Sequence, residues 1–163
     1  MSVLAAVDGE QIPDRTVSVA ADLATQYDEE LVVVHVMLSE TYEERNKAGK
    51  TAKLGLKPTG GAGYGEAGTG GSYSIDQGQR DAKGVARDVT EETLDGATDP
   101  VSYVGRVGEP VTEVLDVAEE YDPRYLVIGG RRRTPVGKAV FGSCTQSFLL
   151  NASMPVVTVL SEE

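Results

Sequence analysis

The run Leu31-Val32-Val33-Val34-His35-Val36-Met37 constrains this chain more than any other segment. Its apolar residues are continuous rather than alternating, and β-branched valines dominate it. A strand of this kind must be covered on both faces, which is the situation of a central strand in a parallel sheet. Val3-Leu4-Ala5-Ala6-Val7-Asp8, within a strand over 2–8, behaves in the same way and ends in an acid. Tyr125-Leu126-Val127-Ile128, within a strand over 124–129, stops at Gly129-Gly130. Two further strands are read at 101–104 and 155–160.

Helical spacing fills the intervals. Residues 13–27 carry Val17, Ala20, Ala21 and Ala24, with Pro13 suited to a first turn. Residues 75–95 carry Ile75, Ala82, Val85, Ala86, Val89 and Leu94. Residues 109–121 place Val111, Val114, Leu115 and Ala118 on one face, with Pro110 near the start. The segment 142–151 opens on Gly142-Ser143 and ends at Asn151. The segment 39–73 is different. Its glycines at 60, 61, 63, 65, 68, 70 and 71 leave too little apolar surface to order it. It is read as a mobile loop with a short helix at 40–48. The alternation β-α-β-α-β-α-β-α-β, with right-handed crossovers, gives an open parallel sheet with helices on both faces.

With 163 residues and no membrane-length apolar run, the chain is expected to be one cytoplasmic domain over 1–163, interrupted by a Gly-rich insert at about 55–73. The formal charge of -11 argues against a nucleic-acid partner, because the phosphate contribution would be repulsive. Six lysines stand against 26 acids. Plain solubility and adaptation to high salt both account for that balance; the second predicts instability in dilute buffer. Cys144 is the sole cysteine, so no internal disulfide forms.

Three short motifs fail on context. Gly63-Tyr64-Gly65-Glu66-Ala67-Gly68 matches GxGxxG, but it lies within a glycine-rich loop rather than between a strand and a helix. Gly137-Lys138 resembles the end of a P-loop, yet Arg132 and Ala139 occupy the positions of the required glycine and of the magnesium-binding Ser or Thr. Asn151-Ala152-Ser153 is better read as a helix terminus than as a glycosylation acceptor. His35 sits within an apolar strand and is read as a hydrogen-bonded structural residue. The simpler reading of Cys144 is a small packed side chain. Asp8 before Gly9 is also a turn former.

The segment 129–145 has both context and spacing. Gly129 follows a strand, and Gly142-Ser143 opens a helix whose free N–H groups and dipole favour an anion. It resembles the universal stress protein family, whose ATP-binding members carry glycine, two residues, glycine, nine residues, glycine, then Ser or Thr. Gly129 and Gly142-Ser143 match, and Arg132 replaces the middle glycine. The resemblance extends to Val3 through Asp8, Leu31 through Val36, Val107-Gly108-Glu109-Pro110, and the closing Asn151-Ala152-Ser153-Met154-Pro155-Val156-Val157-Thr158-Val159. The acidic, lysine-poor composition is similar to that of members from salt-loving archaea.

The resemblance implies that Asp8 and Val36 hold adenine and that Ala6 lines the same pocket. It implies that Ile128 and Gly129 receive the ribose, and that Gly142, Ser143, Cys144 and Thr145 supply phosphate donors. Arg132 has two readings: its bulk closes the site, or its fork of donors binds phosphate. The cluster Arg131-Arg132-Arg133 is either a solvated loop or a phosphate clamp. The implied ligand is ATP or another adenine nucleotide, with or without Mg2+. No catalytic residue stands out, so a binding and signalling module with little or no hydrolysis is expected. The alternative is a dimeric scaffold that binds no nucleotide. A homodimer through the C-terminal strand is also implied, whereas no nucleic-acid or membrane partner is. The expected fold is a doubly wound, five-stranded parallel sheet of order 3-2-1-4-5.

Overall fold

The computed structural model describes residues 1–10, 12–53, 73–95, 100–131 and 143–161. In chain order the elements are β1 (Ser2–Val7), α1 (Arg15–Tyr27), β2 (Glu30–Leu38), α2 (Ser39–Lys53), α3 (Ile75–Leu94), β3 (Val101–Gly108), α4 (Pro110–Tyr121), β4 (Tyr125–Arg131), α5 (Ser143–Asn151) and β5 (Val156–Ser161). The five strands form one parallel sheet of order β3-β2-β1-β4-β5. This is the expected doubly wound order.

The continuous apolar run of β2 serves both faces of the sheet. Leu31 and Val33 join Val3, Ala5, Val7 and Val127 beneath α1 and α3. Val32, Val34 and Val36 join Leu4, Leu126 and Ile128 beneath α4 and α5. Successive side chains of a strand point to opposite faces, so each layer takes every second residue. Each helix offers a narrow apolar stripe to its layer: Val17, Ala20 and Ala24 on α1, and Val114, Val117 and Ala118 on α4.

Several boundaries differ from the sequence expectation. Pro13 precedes α1 instead of opening it, and Asp14 is the N-cap. α2 runs from Ser39 to Lys53, longer than the helix expected at 40–48. The Gly-rich insert otherwise lies outside the described residues. β3 runs on to Gly108, and β4 passes through both glycines to Arg131 instead of stopping at Gly129. Pairing explains both extensions. His35 to Leu38 pair with Gly105 to Gly108, and Val159 to Ser161 pair with Gly129 to Arg131.

Gly105 also permits a close helix–sheet approach. A Cβ there would lie 2.0 Å from the Gln79 carbonyl oxygen and 2.4 Å from the Lys83 nitrogen, both backbone atoms of α3. Among the described residues, no helix is long and apolar enough to cross a membrane.

Candidate functional site

The chain winds from β1 to β2 and β3 on one side, and to β4 and β5 on the other. Open α/β sheets bind ligands where the winding reverses, outside the carboxyl ends of the strands. A cavity of about 710 Å3 lies at that edge, lined from the ends of β1, β2 and β4 and from the starts of α4 and α5. Its size is within the ordinary range for small-molecule sites, about 300–1,000 Å3.

Asp8 follows β1 directly. Its carboxylate accepts the Glu10 N–H at 2.9 Å, the turn-forming role expected of it, while the side chain stays exposed and lines the cavity. Gly9 has φ +79°, and a Cβ there would fall 2.7 Å from Val85 Cγ1, so glycine both sets the turn and admits α3. His35 Nδ1 lies 2.9 Å from the Val7 carbonyl oxygen. A carbonyl only accepts, so Nδ1 carries the proton. This is the hydrogen-bonded histidine the sequence implied, and it also lines the cavity.

Three helix N-termini are closed by the protein's own side chains. Asp14 caps α1 by accepting the Thr16 N–H at 2.8 Å; burial pushes its carboxyl above the ordinary value, against that hydrogen bond. Ser74 and Gln77 form a capping box on α3. Glu109 caps α4, accepting the Thr112 N–H at 2.8 Å and the Thr112 hydroxyl at 2.7 Å. Those bonds, with the Val111 N–H, hold Glu109 below the usual carboxylate range. The start of α5 meets the cavity through Ser143, Cys144 and Thr145, of which Thr145 is buried and the other two are exposed. A helix N-terminus directed at a cavity suits an anion.

The two glycines of β4 face opposite ways. A Cβ on Gly129 would sit 3.0 Å from Thr16 Oγ1 of α1, and one on Gly130 would meet Leu160, Thr158 and, at 3.5 Å, Thr145 Oγ1 of α5. Both glycines line the cavity, Gly129 on the side of α1 and Gly130 on the side of β5 and α5. The far end of the cavity carries Arg45 from α2 and Asp81 from α3, joined Nη1 to Oδ2 at 2.9 Å.

Of the residues expected at the site, Ala6, Asp8, Val36, Ile128, Gly129, Ser143, Cys144 and Thr145 line this one cavity. Arg132 and Gly142 lie outside the described residues. Cys144 corrects the sequence reading. It is exposed rather than packed, because Thr145 and Phe148 form the buried side of α5. The sequence reading missed the cavity residues Gly130, Arg45 and Asp81. Gly130 had a local signal, the second glycine of a pair at a strand end. Arg45 and Asp81 had none, since 36 positions separate them.

The reversed winding, the cavity at the strand ends and the start of α5 beside it place the fold in the doubly wound α/β class. More particularly, the chain belongs to the universal stress protein family, whose model matches residues 1–159. A universal stress protein of Mycolicibacterium smegmatis is 38% identical over 77 residues, which is 47% of this chain and 58% of that protein. The chain therefore covers less than two thirds of that relative. Among solved structures, a universal stress protein from Archaeoglobus fulgidus has a TM-score of 0.53 at 24% identity, covering 97% of each chain. A structure of the Archaeoglobus fulgidus universal stress protein in complex with dAMP has a TM-score of 0.53 at 23% identity, covering 97% of this chain and 96% of that one. A universal stress protein in complex with cAMP has a TM-score of 0.60 at 14% identity, covering 98% of this chain and 96% of that one.

Proposed function

We propose that this protein binds an adenine nucleotide, with ATP the expected one, and acts as a binding and signalling module rather than an enzyme. The observation that carries the reading is the convergence of Asp8, Val36 and the α5 start on one cavity. Val36, Ile128 and Phe148 belong to the buried layer under the cavity and supply an apolar floor for a base. Asp8 offers a carboxylate to an exocyclic amine. At the start of α5, beside Gly130, backbone donors and the Ser143 and Thr145 hydroxyls meet phosphate. Structures of two relatives in complex with adenine nucleotides support the same ligand class. Any Mg2+ would arrive on the phosphates of the nucleotide.

The chain is taken as one folding unit over 1–163 and placed in the cytoplasm. It is taken as a homodimer through β5, the terminal strand of the sheet, whose Val156, Val157 and Val159 are only partly buried. An edge strand of that composition gains from pairing.

The test is mass spectrometry of small molecules released from freshly purified protein kept in molar KCl, followed by calorimetry with Mg-ATP. Stoichiometric adenine nucleotide, or a saturable response at millimolar Mg-ATP, is the expected result. An empty protein with no calorimetric response would overturn the nucleotide reading in favour of the dimeric scaffold, and Arg132→Gly would then be the variant expected to gain binding.

A further inference from the structure

We propose that Arg45 is a specificity-determining residue that hydrogen-bonds the base of the bound nucleotide, at the end of the cavity remote from the phosphates. The inference rests on the nucleotide reading above and adds to it a residue that the glycine motif does not contain.

Strands in a sheet lie about 4.8 Å apart, so with β1 between them the ends of β2 and β4 are about 10 Å apart. The start of α5 stands at the β4 end, and Asp8 at the end of β1 lies between. Arg45 belongs to the β2 end: the hydroxyl of Tyr73, which it contacts, lies 3.8 Å from Met37 Sδ. A nucleotide with phosphates at α5 and its base at Asp8 and Val36 extends toward Arg45 with the base edge foremost. Among the described residues lining the cavity, Arg45 is the one Lys or Arg. Asp81 stands beside Arg45 and Asp8 lies between it and α5, and their negative charge disfavours phosphate away from α5.

Arg45 is also held in place. Arg45 Nη1 donates to Asp81 Oδ2 at 2.9 Å and to the Tyr73 hydroxyl at 3.3 Å, and its guanidinium lies 5.9 Å from the Tyr73 ring centroid. The Tyr73 hydroxyl donates to the same Asp81 oxygen at 2.5 Å. Tyr42 secures Tyr73 in turn, its hydroxyl 3.3 Å from the Tyr73 carbonyl oxygen. The hydrogen bonds to Asp81 and Tyr73 both leave from Nη1, so the fork's other edge, Nη2 and Nε, is the one to address a ligand. Arg45 remains about half exposed, with a relative side-chain accessibility of 48%. A guanidinium donates only, and its partners on a purine are ring nitrogens or a carbonyl oxygen. Asp81 holds the plane in place, and that preorganisation lowers the entropy cost of using it.

The test measures Kd for ATP and for adenosine, which lacks phosphate, on the wild type, Arg45→Met and Arg45→Lys in molar KCl. Thermal melts confirm that each variant is folded. Loss of a charged hydrogen bond to the base should weaken ATP and adenosine by the same factor, about tenfold in Arg45→Met. If Arg45→Met does not fold, Arg45→Lys keeps the charge without the planar fork and should weaken both ligands by a common factor of at least about threefold. A loss for ATP but not adenosine would make Arg45 a phosphate ligand and overturn the proposal, and so would unchanged affinities for both. A wild type that binds neither ligand would overturn the nucleotide reading itself, an outcome distinct from wild-type binding that the variants leave intact.

Discussion

His35 Nδ1 donates to the Val7 carbonyl across the β1–β2 pair at 2.9 Å, one residue before Asp8. A side chain of the second strand thereby fixes the point at which the first strand leaves the sheet. His35→Leu keeps the apolar bulk and removes the donor. It should cost about 1 kcal/mol of stability, the net worth of one such bond, read by urea denaturation. Nucleotide affinity should fall further than stability alone requires, because the turn bearing Asp8 loses its anchor.

Gly105 lets the backbone of α3 approach β3 more closely than any side chain allows. Alanine there would set a methyl 2.0 Å from the Gln79 carbonyl oxygen, and neither partner is a flexible side chain. Gly105→Ala should therefore destabilise by about 1–3 kcal/mol or more. The unfolding midpoint should drop while Gly84→Ala, at a position with nothing within 4 Å, leaves it unchanged or raised.

Asp14 combines a helix cap with burial. Burial is the main cause of its raised pKa, so the folded state prefers the protonated carboxyl more than the unfolded state does. That contribution to stability is complete below the ordinary value of 3.8 and is lost as pH rises through the higher folded value. Asp14→Asn keeps the acceptor without the charge. It should be at least as stable as the wild type at pH 7 and should flatten the stability profile just above pH 3.8. Asp14→Ala should lose about 0.5–2 kcal/mol through the missing cap.

Cys144 is exposed at the start of α5 and lines the cavity. Under the nucleotide reading, a bound phosphate covers it. Alkylation of the thiol should then slow in proportion to the free fraction, about 100-fold at a ligand concentration of 100 Kd. Equal alkylation rates with and without saturating Mg-ATP would contradict placement of phosphate at this helix start.

Asp28, Asp95 and Asp122 end α1, α3 and α4 in the left-handed conformation, with φ of 53°, 46° and 44°. Each puts an acid at the negative pole of a helix dipole, in a chain of formal charge -11. Screening should relieve both costs, so the melting temperature should climb between 0.1 M and 2 M KCl. Asp122→Gly should add about 0.5–1 kcal/mol at low salt and less at high salt. A melting temperature indifferent to KCl would count against salt adaptation.

The layered architecture was legible in sequence because it depends on local patterns. The unbroken run in β2 required two covered faces, and every second residue of that run does serve a different layer. The helix stripes at 3.6-residue spacing, Pro110 at the first turn of α4 and the acid closing β1 were equally local signals. Strand ends were less legible. Gly129 and Gly130 read as a strand end by propensity, and the third strand was read only as far as 104, yet Gly105, Gly129 and Gly130 all lie within paired strands. Ladder hydrogen bonds outweigh the conformational entropy of a glycine, and at Gly105 the missing side chain is what permits the packing.

By itself the sequence determined the class of fold through hydrophobic periodicity, and the resemblance carried by its motifs implied the strand order and eight residues that converge on one cavity. Tertiary structure alone decided that Cys144 is exposed, that Gly130 faces β5 and α5 while Gly129 faces α1, and that Arg45 meets Asp81. Those facts depend on side-chain direction and on contacts between elements distant in the chain. Neither is encoded in any one segment, because packing of the whole sheet against its helices fixes both.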